Sequence, residues 1–433
     1  MKKKNWFLLD NAAKIFPCTS NKNNPHMFSV SVTLVEDINE IILQETIDTV
    51  LSRFPSFKVK LKKGLFWFYL EENLNEYKVS ETPANMFDFN WLKHKNDYLF
   101  NLSYYKNKIT LVVFHTLSDG TGAMEFLKTI VYQYLKLTGK KITDEGLIKL
   151  PDAPSVNGEV KDNFVKYYDK NTEKPPKEEN AYHIEGTHYE NGGVGIVIGT
   201  ASVEEVKKLA KQYDVTLTTY LCALFSYAAY LDAYSPDKPI KKPIKLFVPV
   251  NMRKIFKDET MRNFAGYVRL DTYFTHNLTL EDIILDYKQQ MEEKVTKDYL
   301  IKASNANVRM ERNWFLRITP LCIKNIAMRI GYNILGDNIQ TVSVSNLGVI
   351  KFPKSMEKYI VNVGFDLGAS YLITKNLGVS SYKDKLNLSF CSSIIETGLE
   401  QKFFKLLTNQ GVNVEVVSNY WEKWYEKMWK LWC

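Results

Sequence analysis

Cysteine is scarce in this chain: five residues in 433, odd in number and never spaced as C-x-x-C. Cys18, Cys222, Cys322, Cys391 and Cys433 imply neither a disulfide framework nor a zinc knuckle, and a reducing compartment is the simplest context. Histidine is also sparse. Its six residues are dispersed without ligand spacing, so no metal is expected, and His183 and His188 are read as solvated. Long apolar runs are missing too. The longest helical one, Leu217 to Tyr230, falls short of a bilayer span. The opening MKKKNWFLLDNAAKIF is basic and then apolar, but Asp10 and Lys14 cut it before a signal-peptide core can form, so a cytoplasmic location is expected. No G-x-S-x-G elbow and no fixed-period repeat occur. A nucleic-acid role has no support, because the basic residues interleave with apolar ones and form no exposed track.

What is present is apolar material. Hydrophobic residues make up 45% of the chain and aromatic residues 13%, enough for two full cores at a length that favours two domains. The net charge is +8, from 57 Lys and Arg against 49 Asp and Glu. That excess suits phosphate-bearing or acidic partners, and it is equally common on soluble surfaces.

Strand and helix patterns alternate along the first half. Met27 to Leu34 alternates apolar residues with Ser29, Ser31 and Thr33, which predicts a half-buried strand. Leu43, Ile47, Val50, Leu51 and Phe54 follow at helical spacing, and Pro55 ends that helix. Phe57 to Glu71 reads as a hairpin turning at Gly64. Tyr98–Tyr105 and Ile109–His115 form a second strand pair, the latter apolar on both faces and therefore central. A charged, proline-containing stretch, KNTEKPPKEEN, then marks an exposed connector. Domain boundaries are expected at 1–175 and 193–433, with 176–192 as the crossover. In the second half, Ser202-x-x-Glu205 reads as a capping box and Thr279-x-x-Asp282 as another helix start. Strands are expected near Ile244–Val250, Phe264–Phe274, Thr341–Ser345, Tyr359–Phe365 and Leu386–Cys391, and a helix from Glu396.

One segment carries chemistry: Val112–Val–Phe–His115–Thr–Leu–Ser–Asp119–Gly120–Thr–Gly122. A histidine closes a buried strand, and an Asp-Gly turn leads into an amphipathic helix. An imidazole at a rigid strand end can act as a general base near neutral pH. Asp119 could pair with an arginine behind the turn and fix the backbone at His115, while Gly120 and Gly122 allow the tight path. On physics alone a plainer reading stands beside this one. Asp119 can be only a helix N-cap, and a strand-end histidine can be structural.

His115-x-x-x-Asp119-Gly120 resembles the HxxxDG signature of the chloramphenicol-acetyltransferase-like superfamily. Its order of elements matches essentially the whole chain. The resemblance implies an α+β fold of two chloramphenicol-acetyltransferase-like domains of mixed sheet and helices, meeting at a central substrate tunnel. It implies His115 as catalytic base, with Asp119 and Gly120 in structural roles. Val248–Pro–Val–Asn251–Met–Arg253 resembles the family's strand-then-arginine segment, which gives Arg253 as the partner of Asp119, with Arg262 and Arg269 as rivals. Ser343–Val–Ser345–Asn346–Leu347–Gly348 resembles the tunnel-bordering strand, making Ser343, Ser345 and Asn346 candidate oxyanion donors. Phe114 stands where peptide-synthetase condensation domains carry a second histidine. No DFGWG segment exists; Phe365–Asp366–Leu367–Gly368 only faintly echoes it. The bacterial alcohol acetyltransferase and polyketide-associated branch is therefore the nearest match.

The resemblance implies acyl transfer from acyl-CoA or an acyl-carrier thioester, used as co-substrate with no tightly bound cofactor, to a small or lipid-like hydroxyl or amine acceptor. No acyl-enzyme is expected, since no cysteine sits in an activating motif. The alternative is a non-catalytic module of the same fold that binds an acyl carrier protein or lipid. Two surface features remain open. Between Asn305 and Gly336, Arg309, Arg312, Arg317, Lys324 and Arg329 interleave with apolar residues and only one acid, Glu311. That segment suits coenzyme A phosphates, a carrier protein or peripheral membrane contact, or is a core-packed helix with a basic side. The tail Tyr420–Cys433 carries a Trp-rich helical face for its own domain, another subunit or a membrane interface.

Overall fold

Period-two apolar patterning and turn residues set the strands. The computed structural model describes residues 5–83, 85–88, 96–173, 178–233, 240–274 and 278–419. Strands of the first half are β1 (Trp6–Leu8), β2 (Met27–Leu34), β3 (Val59–Lys63), β4 (Phe68–Glu72), β5 (Ser80–Glu81), β6 (Phe100–Tyr105) and β7 (Lys108–Phe114). Those of the second half are β8 (Gly195–Ser202), β9 (Ile244–Asn251), β10 (Ala265–Thr272), β11 (Val342–Val349), β12 (Ile360–Leu367), β13 (Lys375–Tyr382), β14 (Lys385–Ser392) and β15 (Val414–Ser418). They form three sheets, ordered β1-β4-β3, β12-β2-β7-β6-β5 and β10-β9-β11-β13-β14-β8-β15. The Trp-rich tail from Tyr420 lies outside the described residues, as does part of the connector.

The chain folds into two α+β domains, each with its own core. Val30, Leu111 and Phe126 belong to the first, and Phe225, Leu246 and Phe390 to the second. The hairpin at Gly64 pairs β3 with β4, Gly64 N–H donating to the Trp67 carbonyl at 3.0 Å. The helix Leu217–Ala233 is buried against the helices Leu280–Lys294 and Gly398–Thr408, which accounts for its being apolar almost all round. Among the described residues no helix is long and apolar enough to cross a membrane. Ser202, expected to open a capping box, caps its helix through the Glu205 N–H alone, whereas the expected helix start at Thr279–Asp282 is a capping box with both reciprocal bonds.

Three features depart from the sequence pattern, and all lie where the two domains touch. β12 comes from the second half of the chain but pairs antiparallel with β2 in the first sheet, while packing on β13 and β14 of the second. β2, expected to be half-buried, has its hydroxyl face covered as well. There Ser29 Oγ donates to Asp366 Oδ2 at 2.7 Å, and Ser389 Oγ of β14 donates to Asp366 Oδ1 at 2.6 Å. Ser29 and Ser389 therefore form a polar seam between the sheets, joined through Asp366, while the buried Ser31 Oγ on the same face of β2 has no partner among the described residues. β13 escaped the sequence reading because it is polar, KNLGVSSY, yet every residue of it is buried. Lys375 pairs with buried Glu400 at 2.6 Å, the Asn376 amide bonds Ser343 N–H and the Gly368 carbonyl, and Ser380 Oγ donates to the Val363 carbonyl. A Cβ on Gly378 would sit 2.3 Å from the Phe365 carbonyl oxygen, so only glycine lets β12 approach.

Candidate active site

β7 ends at Phe114, and His115 follows with its backbone N–H bonded to the His26 carbonyl at 2.9 Å. The chain then turns, and Asp119 caps the helix Gly120–Leu137 by accepting the Gly122 N–H on Oδ1 at 3.0 Å. Capping uses only part of this carboxylate. Arg253, on the short helix Met252–Phe256, donates Nη1 to Asp119 Oδ2 at 2.8 Å and Nη2 to Oδ1 at 3.1 Å, and Phe264 N–H donates to Oδ2 at 2.8 Å. Arg253 Nε is held by the Thr260 carbonyl at 2.7 Å. Both side chains are under a tenth exposed, so this bidentate pair is a buried tie between the two halves of the chain. The rival arginines are used elsewhere: Arg262 Nε donates to Asp10 at 3.3 Å, and Arg269 Nη1 to Glu178 at 2.5 Å.

The glycines serve close approach and not an unusual φ. An added Cβ on Gly122 would lie 2.3 Å from the Met261 carbonyl oxygen and 2.2 Å from Ser118 Oγ; one on Gly120 would lie 2.8 Å from Leu347 Cδ2. The segment Thr260–Phe264 is thus laid directly across the turn after His115. Ser118 Oγ fastens it further by donating to the Met261 carbonyl at 2.6 Å.

That segment brings Asn263 to the imidazole. His115 Nδ1 lies 3.0 Å from Asn263 Oδ1, while Asn263 Nδ2 donates to the His115 carbonyl and to Asp10 Oδ2, each at 3.1 Å. With the amide nitrogen facing two acceptors, its oxygen must face Nδ1, and Nδ1 must carry the proton. Nε2 is left as the unprotonated nitrogen. Phe16 stacks on the imidazole at 4.7 Å between ring centroids, and Phe28 meets it edge-on at 5.1 Å, so the ring cannot swing. Burial lowers the His115 pKa below the usual imidazole value, opposed by the field of Asp119 and by the bond to Asn263.

Asn263, Asp10 and Phe16 were not legible in the sequence. Asn263 lies 148 residues from His115, in a segment without periodicity, and in the sequence Asp10 only interrupts an apolar run. The β11 residues sit differently. Ser343 and Ser345 lie on its half-buried face opposite Val342 and Val344. The Asn346 amide is occupied, donating to Thr218 Oγ1 at 3.0 Å and accepting Gly348 N–H at 2.7 Å. Of this strand, it is Leu347 that reaches the motif, at Gly120. His183 and His188, expected to be solvated, are half-buried, and His188 stacks on Tyr371 at 3.9 Å. Among the described residues no group of histidine, cysteine and carboxylate side chains could hold a metal.

A second histidine backs the first. His26 has a left-handed backbone, φ +50°, with Nε2 2.9 Å from Thr19 Oγ1 and its ring 5.2 Å from Phe16 and 5.3 Å from Tyr332. Beyond Thr19 and Tyr332 opens a polar cleft of about 570 Å³, lined also by Asn21, Asn24, Arg329 and Asp337. Burial, followed by repulsion from His115, lowers the His26 pKa to about 3. Its folded pKa lies below the unfolded value, so its contribution is present above pH 6.5 and is lost as pH falls toward 3. A His26→Gln variant is therefore expected to lose stability less steeply on acidification. The slope of unfolding free energy against pH should be shallower by about 1.4 kcal/mol per unit between pH 6 and 4. Denaturant titrations across that range measure it, and an unchanged slope would assign the acid sensitivity elsewhere.

The alcohol acetyltransferase family model matches residues 161–410. Solved structures share the fold at low identity. Polyketide synthase associated protein 5 from Mycobacterium tuberculosis aligns with a TM-score of 0.58 at 14% identity, over 94% of this chain and 96% of its own. TRI3 trichothecene 15-O-acetyltransferase from Fusarium sporotrichioides aligns at 0.57 and 12%, over 93% and 94%. A mutant starter condensation domain of rhizomide synthetase, solved with C8-CoA and Leu-SNAC, aligns at 0.57 and 10%, over 94% and 93%. No curated protein matches the chain.

Proposed function

Since this chain belongs to the alcohol acetyltransferase family, we propose that it transfers an acyl group from a thioester to a hydroxyl or amine acceptor, with His115 as general base. The observation that carries this reading is the Asn263 clamp. It keeps the proton on Nδ1 and leaves Nε2 as a base, and burial lowers its pKa below the usual imidazole value. A purely structural histidine would need no such fixed tautomer, nor would a non-catalytic binding module.

In the proposed reaction the acceptor O–H or N–H gives its proton to Nε2 while the acceptor atom bonds to the thioester carbonyl carbon. The tetrahedral oxyanion collapses, the C–S bond breaks, and the proton passes from Nε2 to the leaving thiolate. No acyl-enzyme is needed, and burial raises the thiol pKa of Cys18 to about 11, which leaves it a poor nucleophile. Asp119, Gly120 and Arg253 position the turn without touching the reacting atoms. Ser343 and Ser345 stand as the candidate oxyanion donors, whereas the amide of Asn346 is already occupied. Acyl-CoA is the preferred donor, in keeping with C8-CoA in the similar condensation domain; a carrier-bound thioester would present the same reactive group. Two domains meeting beside His115 suit a tunnel with donor and acceptor arriving from opposite faces.

Mass spectrometry of products from a panel of acyl-CoAs with mixed alcohols and amines tests the activity, and failure of every pair would remove it. A pH profile tests the base. Because burial lowers the His115 pKa, the acid limb of kcat/KM should lie below the ordinary imidazole value of about 6.5. Asn263→Ala removes a bond that raises that pKa, so the acid limb should move further down while kcat/KM drops by about ten- to a hundredfold. An unmoved limb would deny Asn263 its positioning role.

A further inference from the structure

The helix Lys297–Arg312 buries Leu300 and Val308 in the second core, but the segment from Trp314 onward turns its apolar side outward. On the helix Leu321–Leu335, Ile323, Ile326, Ile330 and Ile334 recur at spacings of three and four, and each is more than half exposed. One helical face is thereby left uncovered over about 16 Å. The stripe continues through Ile318, Phe315 and Trp314 of the preceding short helix, all at least 56% exposed. It also meets the tip of the β3–β4 hairpin, where Leu65 is 70% exposed and its carbonyl accepts the Leu321 N–H at 2.8 Å. The inward side of the same helix is fully used. Met328 meets Cys18, Tyr332 packs on His26, and Lys324 donates to the Phe66 carbonyl.

Charge around the stripe has one sign. Arg312 and Arg317 are exposed beside it, Lys63 is exposed at the hairpin tip, and Arg329, also exposed, donates its Nε to the Cys18 carbonyl at the edge of the polar cleft. The only acid between Tyr299 and Gly336 is Glu311, and it is bound by Lys14 and Asn11. A second copy docked face to face would bring these cations together. The tail from Tyr420 has the same sign, three lysines against two glutamates. An apolar face rimmed by cations matches an anionic bilayer surface, which takes the isoleucines into the acyl boundary and the arginines among the headgroups.

We propose that the Trp314–Ile334 face, with the hairpin tip at Leu65 and Phe66, is a docking surface for anionic phospholipid membranes. This does not depend on the transfer reaction. The test is co-sedimentation of the full chain with phosphatidylcholine vesicles, with and without phosphatidylglycerol, for the parent and an Ile326→Asp/Ile330→Asp variant. Both substitutions are at exposed positions, so an unchanged melting temperature is expected and identifies a folded variant. An Arg317→Glu variant serves if the first does not fold. The parent should bind the anionic vesicles and be released by salt, and the double variant should lose binding by more than about tenfold. Equal binding by parent and variant, or parent binding that ignores phosphatidylglycerol, would overturn the proposal. So would a parent dimer that the double variant dissolves while vesicle binding is unaffected.

Discussion

His115→Ala is expected to lower turnover by about 10²- to 10⁴-fold at saturating substrate, the usual contribution of general-base help. The neighbouring imidazole is a poor substitute for the lost nitrogen. The adjacent imidazole, His26, has Nε2 engaged with Thr19 and a pKa of about 3, which makes it a weak base. The fold should survive. The backbone contacts at this position, the N–H to His26 and the carbonyl to Asn263, do not use the ring, and Phe16 and Phe28 can close partly on the space. The measurement pairs kcat with a melting curve of the same preparation. Parent-like turnover in a folded variant would end the assignment of His115 as base.

Asp119→Asn should act through stability, lowering the unfolding free energy by about 3–5 kcal/mol, the cost of stranding one member of a buried ion pair. The cap itself is not at stake, because asparagine accepts the Gly122 N–H as well as aspartate does. What is lost is the countercharge for Arg253, which is buried with its Nε already committed to the Thr260 carbonyl. Denaturant unfolding of Asp119→Asn, Arg253→Met and the double variant separates the causes. The double variant should be more stable than either single one, since replacing both charged partners with neutral residues leaves no isolated buried charge. If the two losses simply add, the pair is not a coupled unit.

The strand, turn and helix around the HxxxDG segment were legible from the residues themselves. Alternation and a double-faced apolar run define β7, the Asp-Gly turn follows, and Asp119 stands at an N-cap whose hydrogen bond spans three residues. Such interactions are local, so a sequence window contains every partner they need. The same holds for the β3–β4 hairpin and for the helix start at Thr279–Asp282. The amount of apolar material likewise announced two cores, because burial scales with composition.

Tertiary structure alone decided what each face meets. The basic, apolar segment up to Gly336 could be read in the sequence as a core-packed helix, but packing of Met328, Tyr332 and Lys324 inward leaves Ile323, Ile326, Ile330 and Ile334 to solvent. The serines of β2 look solvent-facing in the pattern, and they are buried because β12 returns from 337 residues away to place Asp366 beside Ser29. The tautomer of His115 depends on Asn263 and Asp10, the second 253 residues from the asparagine it orients. No propensity or spacing records such contacts. They exist only once closing those loops has been offset by the burial that the whole fold supplies, which is why the base could be read from the sequence and its clamp could not.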